Sequence, residues 1–367
     1  NQNIRISTNR PTITKVSSTA GDQTYNTGTI PIDVHFDEKV IVNTVGWYQK
    51  QKILASDAGA NSRYGHSVSI DGNFAIIGAL NASTGSSFSS GKAYILYKDE
   101  GGLNNWGQRQ ILSGDNTMSH KFGNSVSISG NYAIVGSDQD FHYALSESGY
   151  QGTDAKYGAA FLFKYDGTTW TQIKKLITPD FHSNNSKNDY FGYSVAIDGD
   201  YAIVGEYGND SNTGAAYIFY NNGTDNWGIQ KRLYGEASND KFGHSVSISG
   251  DYAIVGAINN TYNSKGAVYI YERSGTSWTQ KKKLQGESNS DHFGWSVAVD
   301  NTIAIVGAIY HNVSSEGAAY IFYKDEGGPN NWGQKKKLTA GDSGPSDNFG
   351  LSVAIDGDYA IVGTAYN

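Results

Sequence analysis

The chain has 367 residues, no cysteine and a formal net charge of −7. Without cysteine, neither disulfides nor thiolate metal sites can stabilise it, and a negative charge argues against nucleic acid as a partner, since phosphates require a concentrated basic surface. No apolar run reaches the roughly 18 residues of a membrane-spanning helix, so we expect no membrane-spanning segment. Forty-five glycines and only 5 prolines indicate many short strands joined by tight turns, and therefore an all-β fold.

The N-terminal stretch from Pro11 to Asn43 differs from the rest of the chain, because it lacks the aromatic-Gly-x-Ser-Val motif that recurs from Tyr64 onward. It resembles the opening of a bacterial immunoglobulin-like adhesion module, and it stops before the later strands that such a module needs. We therefore predict an N-terminal extension over residues 1–30 and a separate repeat domain over residues 31–367.

An aromatic-Gly-x-Ser-Val motif recurs six times in the repeat domain. Each copy continues through a short turn into an Ala-Ile-Val-Gly-like run, as in Tyr201–Gly205. A fixed period of roughly fifty residues indicates a stacked or circular repeat architecture. The copies start at Tyr64, Phe122, Phe191, Phe242, Phe293 and Phe349.

The third copy predicts a unit of four strands. The strands are expected at Phe191–Ile197, Tyr201–Gly205, Gly214–Tyr220 and Trp227–Leu233. The tight turn at Asp198-Gly199-Asp200 requires antiparallel neighbours, which disfavours a parallel β-solenoid. Because polarity increases from the first strand to the fourth, the unit fits a β-propeller blade whose outermost strand meets water.

Tryptophans at the start of the fourth strands indicate the number of blades. They are Trp47, Trp106, Trp170, Trp227, Trp278 and Trp332. The last copy lacks its outer strands, whereas Trp47–Leu54 reads as a fourth strand with no first strand before it. We therefore predict six blades in a ring closed by N-terminal strands, with Ile32–Phe36 as the third strand of the last blade. A seventh blade built from residues 1–40 is the alternative.

The segment Phe191–Gly205 (FGYSVAIDGDYAIVG) resembles the FG-GAP repeat, the blade unit of integrin α-subunit heads and of many bacterial surface proteins. The resemblance covers about residues 47–367. It implies an extracellular or cell-surface location and a role in binding or adhesion more than in catalysis. Turns such as Asp198-Gly199-Asp200 are too short for the calcium loop found in integrin-type blades. We therefore expect no cofactor, with Ca²⁺ elsewhere in the chain as the alternative.

The face that carries the loops from strand 2 to strand 3 and from strand 4 to the next strand 1 shows most of the variation in length. Its most distinctive loops are Ser137–Tyr157 and Ile177–Tyr190. Aromatic and carboxylate side chains together suit a glycan or protein partner, although a loop packed on itself uses the same residues. The ligand-binding candidates are Asp138, Asp140, Phe141, His142, Tyr143, Glu147, Tyr150, Asp154, Asp180 and His182.

An acidic residue also recurs two positions before the aromatic-Gly pair. The four examples are Asp189, Asp240, Asp291 and Asp347. They are weak candidates for metal ligands, or they tie their loops by accepting backbone N–H bonds. The tryptophans are expected to pack between blades rather than to bind sugars, and the lysines of the fourth strands to protect an exposed edge.

The sequence favours a non-enzymatic adhesion or binding propeller that contacts a glycan or a surface protein. The first alternative is a structural filament subunit, in which N-terminal strands complete the unfinished last blade of a neighbour. A weaker alternative is a polysaccharide-active enzyme. No pattern of catalytic residues supports that reading, and we assign no catalytic residues.

Overall fold

The structure is a computed structural model that divides the chain into two compact units, Asn1–Lys52 and Ile53–Asn367. It describes residues 13–18, 32–36, 51–57, 59, 61–83, 90–103, 105–115, 120–140, 156–179, 188–260, 264–312, 314–342 and 344–365. The predicted domain boundary between residues 30 and 31 stays a prediction.

Among its described residues, the first unit contains one antiparallel pair of strands, β1 (Ile13–Ser18) and β2 (Ile32–Phe36). Ile32–Phe36 was predicted to be the third strand of the last blade. Its partner among the described residues is instead β1, with Val34 opposite Val16. The resemblance of this region to an immunoglobulin-like module stays a prediction.

The second unit is built from four-stranded antiparallel sheets, as predicted, with the strands of each blade adjacent in chain order. Blade 1 consists of β3 (Tyr64–Asp71), β4 (Phe74–Ala79), β5 (Lys92–Lys98) and β6 (Trp106–Leu112). Blade 2 consists of β7 (Phe122–Ser129), β8 (Tyr132–Ser137), β9 (Lys156–Tyr165) and β10 (Trp170–Leu176). A short strand, β11 (Asn188–Phe191), pairs in parallel with β9 and leads into the next blade.

The remaining blades follow the same order. Blade 3 consists of β12 (Ser194–Asp198), β13 (Tyr201–Glu206), β14 (Ala215–Asn221) and β15 (Trp227–Tyr234), with one helical turn, α1 (Asn209–Asn212), between β13 and β14. Blade 4 consists of β16 (Phe242–Ser249), β17 (Tyr252–Ala257), β18 (Ala267–Ser274) and β19 (Ser277–Gln285). Blade 5 consists of β20 (Phe293–Asp300), β21 (Ile303–Ala308), β22 (Ala318–Tyr323) and β23 (Gly333–Leu338).

The sixth copy forms a two-stranded hairpin of β24 (Ser352–Asp356) and β25 (Tyr359–Gly363). The described residues therefore form five four-stranded blades of a propeller ring, not the six or seven predicted. Among the described residues, the sixth copy has only its first two strands. Within the described part of the chain, no helix is long and apolar enough to cross a membrane.

A glycine turn begins each copy of the repeat. In blade 4, the His244 N–H donates to the Lys241 carbonyl, which closes a four-residue turn around Phe242-Gly243. Gly243 has a φ of 86°, as the third residue of a type II turn requires. A Cβ at this position would lie 2.1 Å from the backbone oxygen of Ala215 in blade 3. Glycine is therefore required both by the turn and by the close approach of the preceding blade.

The serine of the repeat links consecutive blades at the same place. Its hydroxyl donates a hydrogen bond to the glycine carbonyl of the next copy. The five pairs are Ser67 with Gly123, Ser125 with Gly192, Ser194 with Gly243, Ser245 with Gly294, and Ser296 with Gly350. The Gly-x-Ser part of the motif is thus explained by the joint between blades.

The core lies between blades rather than within them. Val246 and Ile248 of β16 pack with Ile203 and Ile218 of blade 3 in one buried cluster. Four of the fourth-strand tryptophans extend these interfaces outward, because each packs against an aromatic ring at the start of strand 2 of the preceding blade. The pairs are Phe74 with Trp170, Tyr132 with Trp227, Tyr201 with Trp278, and Tyr252 with Trp332.

The short turns on the opposite face also connect neighbours. The Asp198 carboxylate accepts the N–H of Gly250 in the next blade at 2.7 Å. In the same way, Asp71 accepts the Gly130 N–H and Asp300 accepts the Gly357 N–H. These bonds hold the first strands of successive blades in a fixed position, which makes the other face a rigid platform for its loops.

Candidate functional site

Each aromatic-Gly turn displays the two residues that flank the aromatic-Gly pair. The residue before the pair has a φ between 50° and 59° in all six copies, although none is glycine. Such a conformation costs a non-glycine residue about 1–2 kcal/mol, and residues held this way cluster at functional sites. We call these twelve residues the turn ring: Arg63, His66, Lys121, Asn124, Tyr190, Tyr193, Lys241, His244, His292, Trp295, Asn348 and Leu351.

The turn ring lies where each 4–1 loop enters the first strand of a blade. It therefore belongs to the face that carries the 2–3 and 4–1 loops. Because the first strands of successive blades lie side by side, the turns of neighbouring copies are brought together. Asn124 of blade 2, for example, donates from Nδ2 to the Tyr193 carbonyl of blade 3 at 3.0 Å.

Aromatic rings connect the third, fourth and fifth copies without a break. Tyr190 stacks on Tyr207 of the 2–3 loop, with centroids 4.8 Å apart and planes 8° apart. Tyr193 meets Tyr207 edge-on at 4.6 Å and contacts His244 of the next blade at 5.1 Å. His244 in turn lies 4.7 Å from Trp295.

The run ends in blade 5. His292 lies parallel to Trp295, at 6.2 Å and 11°, and contacts Tyr310 of the 2–3 loop at 4.8 Å. Tyr310 is 39% exposed, and Tyr190, Tyr193, Tyr207 and Trp295 are half-buried. An extended, partly exposed set of aromatic side chains is therefore held together on this face.

Burial keeps the histidines of this surface uncharged. It lowers the pKa of His244 to about 3, and it also lowers the pKa of His292, with the charge of Lys241 acting on both in the same direction. At neutral pH each of these two rings is a neutral aromatic group with one donor and one acceptor nitrogen.

The permanent charges of the turn ring are all positive. Arg63, Lys121 and Lys241 form no ion pair in the described part of the chain, whereas lysines on the fourth strands such as Lys283 and Lys337 are paired with glutamates. Arg63 and Lys121 both lie near His66, whose pKa is lowered first by burial and then by these charges. The surface thus combines aromatic faces with unpaired cations.

Asp138, one of the predicted ligand residues, lies close enough to this surface for its charge to act on two of its tyrosines. It is buried, and its charge acts on both Tyr193 and Tyr207, whose pKa values are raised mainly by burial and further by Asp138. The structure therefore places Asp138 beside the aromatic run.

Outside the turn ring, a polar cluster closes the loops of blades 2, 4 and 5. In blade 5 the Lys337 ammonium donates to Glu287 at 2.7 Å and lies 2.8 Å from His311 Nε2. His311 Nδ1 lies 3.3 Å from the Asp291 carboxylate and 3.3 Å from the Tyr320 hydroxyl. Blade 4 builds the equivalent cluster from Glu236, Asp240, Asn260, Tyr269 and Lys283.

Blade 2 contains the same cluster with two residue types exchanged. Here the histidine precedes the aromatic-Gly pair and the aspartate lies on the 2–3 loop: His120 Nδ1 is 3.0 Å from the carboxylate of Asp140. Lys175 donates to the other carboxylate oxygen at 2.8 Å. Burial alone would raise the pKa of Asp140, but these two partners hold it below its usual range. Asp140, predicted as a ligand residue, is therefore engaged inside the protein.

Blade 3 departs from the pattern through Glu206, which replaces the small residue at the end of strand 2. Its Oε2 accepts hydrogen bonds from Tyr217 at 2.6 Å and from Asn209 at 2.9 Å. Complete burial, together with the nearby charge of Asp189, raises the pKa of Glu206 to about 8. The side chain is therefore protonated at neutral pH.

Three of the four carboxylates predicted as weak metal ligands accept backbone hydrogen bonds from their own loops. Asp240 accepts from Ala237, Asp291 from Ser288, and Asp347 from Gly344, at 2.9, 2.7 and 2.5 Å. Asp189 is fully buried. Among the described residues, no group of three or more His, Cys, Asp or Glu side chains is placed to hold a metal ion. Cation binding at these four positions stays a prediction.

Most of the predicted ligand residues lie outside the described residues. They are Phe141, His142, Tyr143, Glu147, Tyr150, Asp154, Asp180 and His182.

The turn ring itself was missed in the sequence. A signal for it was present in the sequence: the residues on either side of each aromatic-Gly pair vary widely between copies, whereas the Gly and Ser of the motif are the same in all six.

The FG-GAP repeat model matches six stretches of the chain: residues 47–97, 106–163, 170–219, 234–271, 278–322 and 332–367. No curated protein matches the chain. The six matches cover more than half of its length, and each begins at a tryptophan or at the end of a fourth strand and extends into the following blade. The blades and their joints have the form expected of this repeat, and the chain belongs to the FG-GAP repeat family.

Proposed function

We propose that the chain is a non-enzymatic binding propeller of the cell surface or extracellular space. It contacts a glycan or a surface protein through the face that carries the 2–3 and 4–1 loops. The observation that carries this proposal is the unbroken aromatic run from Tyr190 to Tyr310, displayed by turns that hold non-glycine residues in a left-handed conformation. FG-GAP propellers are typical of extracellular binding proteins, which supports the same role.

A matched pair of variants tests this proposal. Tyr310 and Tyr323 belong to the same blade and are both 39% exposed, but Tyr310 belongs to the aromatic run and Tyr323 lies at the far end of strand β22. The wild-type chain is applied to arrays of glycans and of surface proteins, and each ligand found is titrated against Tyr310→Ala and Tyr323→Ala.

We expect Tyr310→Ala to weaken binding by about 10-fold, since a buried aromatic contact is worth on the order of 1–2 kcal/mol. Tyr323→Ala should bind as the wild type does. Equal binding by both variants, or no ligand on either array, would contradict the proposal. The unfolding midpoint of each variant shows whether a loss of binding reflects a loss of folding.

As a second candidate we propose self-assembly into a filament, in which N-terminal strands of one copy complete the last sheet of another. The supporting observation is the exposure of two apolar faces at the two ends of the array of blades. Val68 and Ile70 of β3 are each 67% exposed, while Tyr359 and Ile361 of β25 are 71% and 70% exposed. The equivalent residues inside the array, such as Val246 and Ile305, are buried. Large exposed apolar patches mark association surfaces.

Light scattering over a range of concentrations tests this second candidate. We expect the average mass of the wild type to rise with concentration. Ile361→Lys should keep the mass of a monomer at every concentration. Ile229→Lys, on the outer strand β15, is the control and should assemble as the wild type does. A wild-type mass that is monomeric at all concentrations would exclude assembly.

A further inference from the structure

We propose that the turn ring binds an acidic oligosaccharide, whose pyranose faces pack on Tyr193 and Trp295 and whose carboxylates pair with Arg63, Lys121 and Lys241. This inference rests on the proposed function, because it names the ligand class for the same face. Two independent properties of the turn ring carry it: its charge and its aromatic surface.

The charge of the turn ring is opposite to that of the whole chain. Its twelve positions include three permanent cations and no carboxylate, in a chain with a net charge of −7. Arg63 is exposed, and Lys121 and Lys241 are half-buried; none of the three has an ion-pair partner among the described residues. A localised positive patch on an acidic protein attracts an anionic ligand and repels a cationic one.

The aromatic side chains narrow the class of ligand further than its negative charge alone. A sugar ring presents a flat face of C–H groups that packs on an aromatic ring, while its hydroxyls hydrogen-bond to tyrosine hydroxyls and imidazole nitrogens. Trp295 and Tyr193 lie on either side of His244, at 4.7 and 5.1 Å. One extended ligand can therefore contact both rings at once.

Cations and ring faces alternate around the turn ring. Lys121 is followed by Tyr190 and Tyr193 of the next copy, then by Lys241, and then by His292 and Trp295. The Asn124 side chain connects the basic part to the aromatic part through its hydrogen bond to Tyr193. A chain of uronic acids has the same alternation, since each residue offers one ring face and one carboxylate. An acidic peptide offers carboxylates without ring faces.

Calorimetric titration with three probes tests the inference. The probes are tetragalacturonate, its fully methyl-esterified form and penta-glutamate. The first two share every ring face and differ in charge, and the third carries charge without rings. We expect tetragalacturonate to bind most tightly, and to bind more weakly as ionic strength rises, because exposed charge pairs are screened.

Two triple variants distinguish the loss of the turn-ring cations from the loss of the same positive charge elsewhere on the surface. The test variant is Arg63→Gln, Lys121→Gln and Lys241→Gln. The control removes the same charge at Lys98→Gln, Lys231→Gln and Lys336→Gln, which lie on third and fourth strands and have no ion pair among the described residues. We expect the test variant to lose at least about 10-fold in affinity for tetragalacturonate and the control to lose less than about 2-fold.

The acidic class is wrong if tetragalacturonate does not bind, if the ester binds equally well, or if the test variant matches the control. The oligosaccharide class is wrong if penta-glutamate binds as tightly as tetragalacturonate. The proposed function survives each of these results when another ligand is found whose binding Tyr310→Ala weakens. The proposed function and the inference both fail if Tyr310→Ala weakens the binding of no ligand.

Discussion

The side-chain hydroxyl of Ser194 donates a hydrogen bond to the backbone carbonyl of Gly243 at 2.8 Å, which joins blade 3 to blade 4. Five joints use this bond, and each lies directly below the turn that displays two residues of the turn ring. The element that fixes the blades therefore also positions the candidate site.

Replacing Ser194 with alanine should lower the free energy of unfolding by about 1–2 kcal/mol, since the hydrogen bond is lost and a half-buried carbonyl loses its donor. Ser352 provides the matched control, because it occupies the same position of the motif and donates no such bond among the described residues. Urea unfolding followed by circular dichroism measures both variants. An equal effect of Ser194→Ala and Ser352→Ala would show that the bond does not stabilise the joint.

Two glycines with the same backbone conformation should respond differently to alanine. Gly243 has φ 86° and Gly223 has φ 87°. A Cβ at Gly243 would lie 2.1 Å from the Ala215 oxygen, whereas nothing lies within 4 Å of a Cβ at Gly223. We expect Gly223→Ala to cost about 1 kcal/mol from strain alone. Gly243→Ala should cost more than about 3 kcal/mol or prevent folding, because the blades must separate. Similar melting temperatures for the two variants would contradict this account of the joint.

Glu206 should make the protein less stable as pH rises from about 4.5 to about 8. Its pKa in the folded state is about 8, well above the value of 4.5 for an unperturbed glutamate. Between these values the folded state keeps a proton that the unfolded state has released. Raising the pH therefore favours unfolding, by about 1.4 kcal/mol per pH unit at most. Below pH 4.5 and above about pH 8, Glu206 no longer makes the unfolding free energy depend on pH.

Glu206→Gln removes this titration while keeping the shape of the side chain. We expect the variant to match the wild type near pH 4.5 and to exceed its unfolding free energy near pH 8. Urea titrations at a series of pH values give the difference directly. A difference that does not change with pH would mean that Glu206 is already ionised in the folded protein.

The local structure of each blade could be predicted because it repeats in short-range patterns. The predicted strand Trp227–Leu233 is β15, one residue longer in the structure, and Tyr201–Gly205 is likewise β13. The predicted strand Phe191–Ile197 is instead interrupted at Gly192 and Tyr193. The interruption is the turn that displays Tyr193. Strand propensity does not reveal it, because the turn is imposed by the approach of the preceding blade.

Long-range features could not be read in the same way. The strand Ile32–Phe36 could pair either with β1 or with the edge of β25, and its hydrophobic alternation is compatible with both pairings. In blade 2 the histidine of the pair comes first in the chain and the aspartate second (His120 and Asp140), whereas in blade 5 the order is reversed (Asp291 and His311). An alignment of the copies could have revealed this exchange of residue types. Reading it would have required knowing that the residue two positions before the aromatic-Gly pair meets the 2–3 loop in space.

The central claim is that ligands bind on the turn ring. Hydrogen–deuterium exchange of the chain with and without a ligand that it binds tests this claim most directly. The account predicts slower exchange in residues 190–193, 241–244 and 292–295, and unchanged exchange in the fourth strands β15, β19 and β23. Protection confined to those outer strands, with the three turns unchanged, would contradict it.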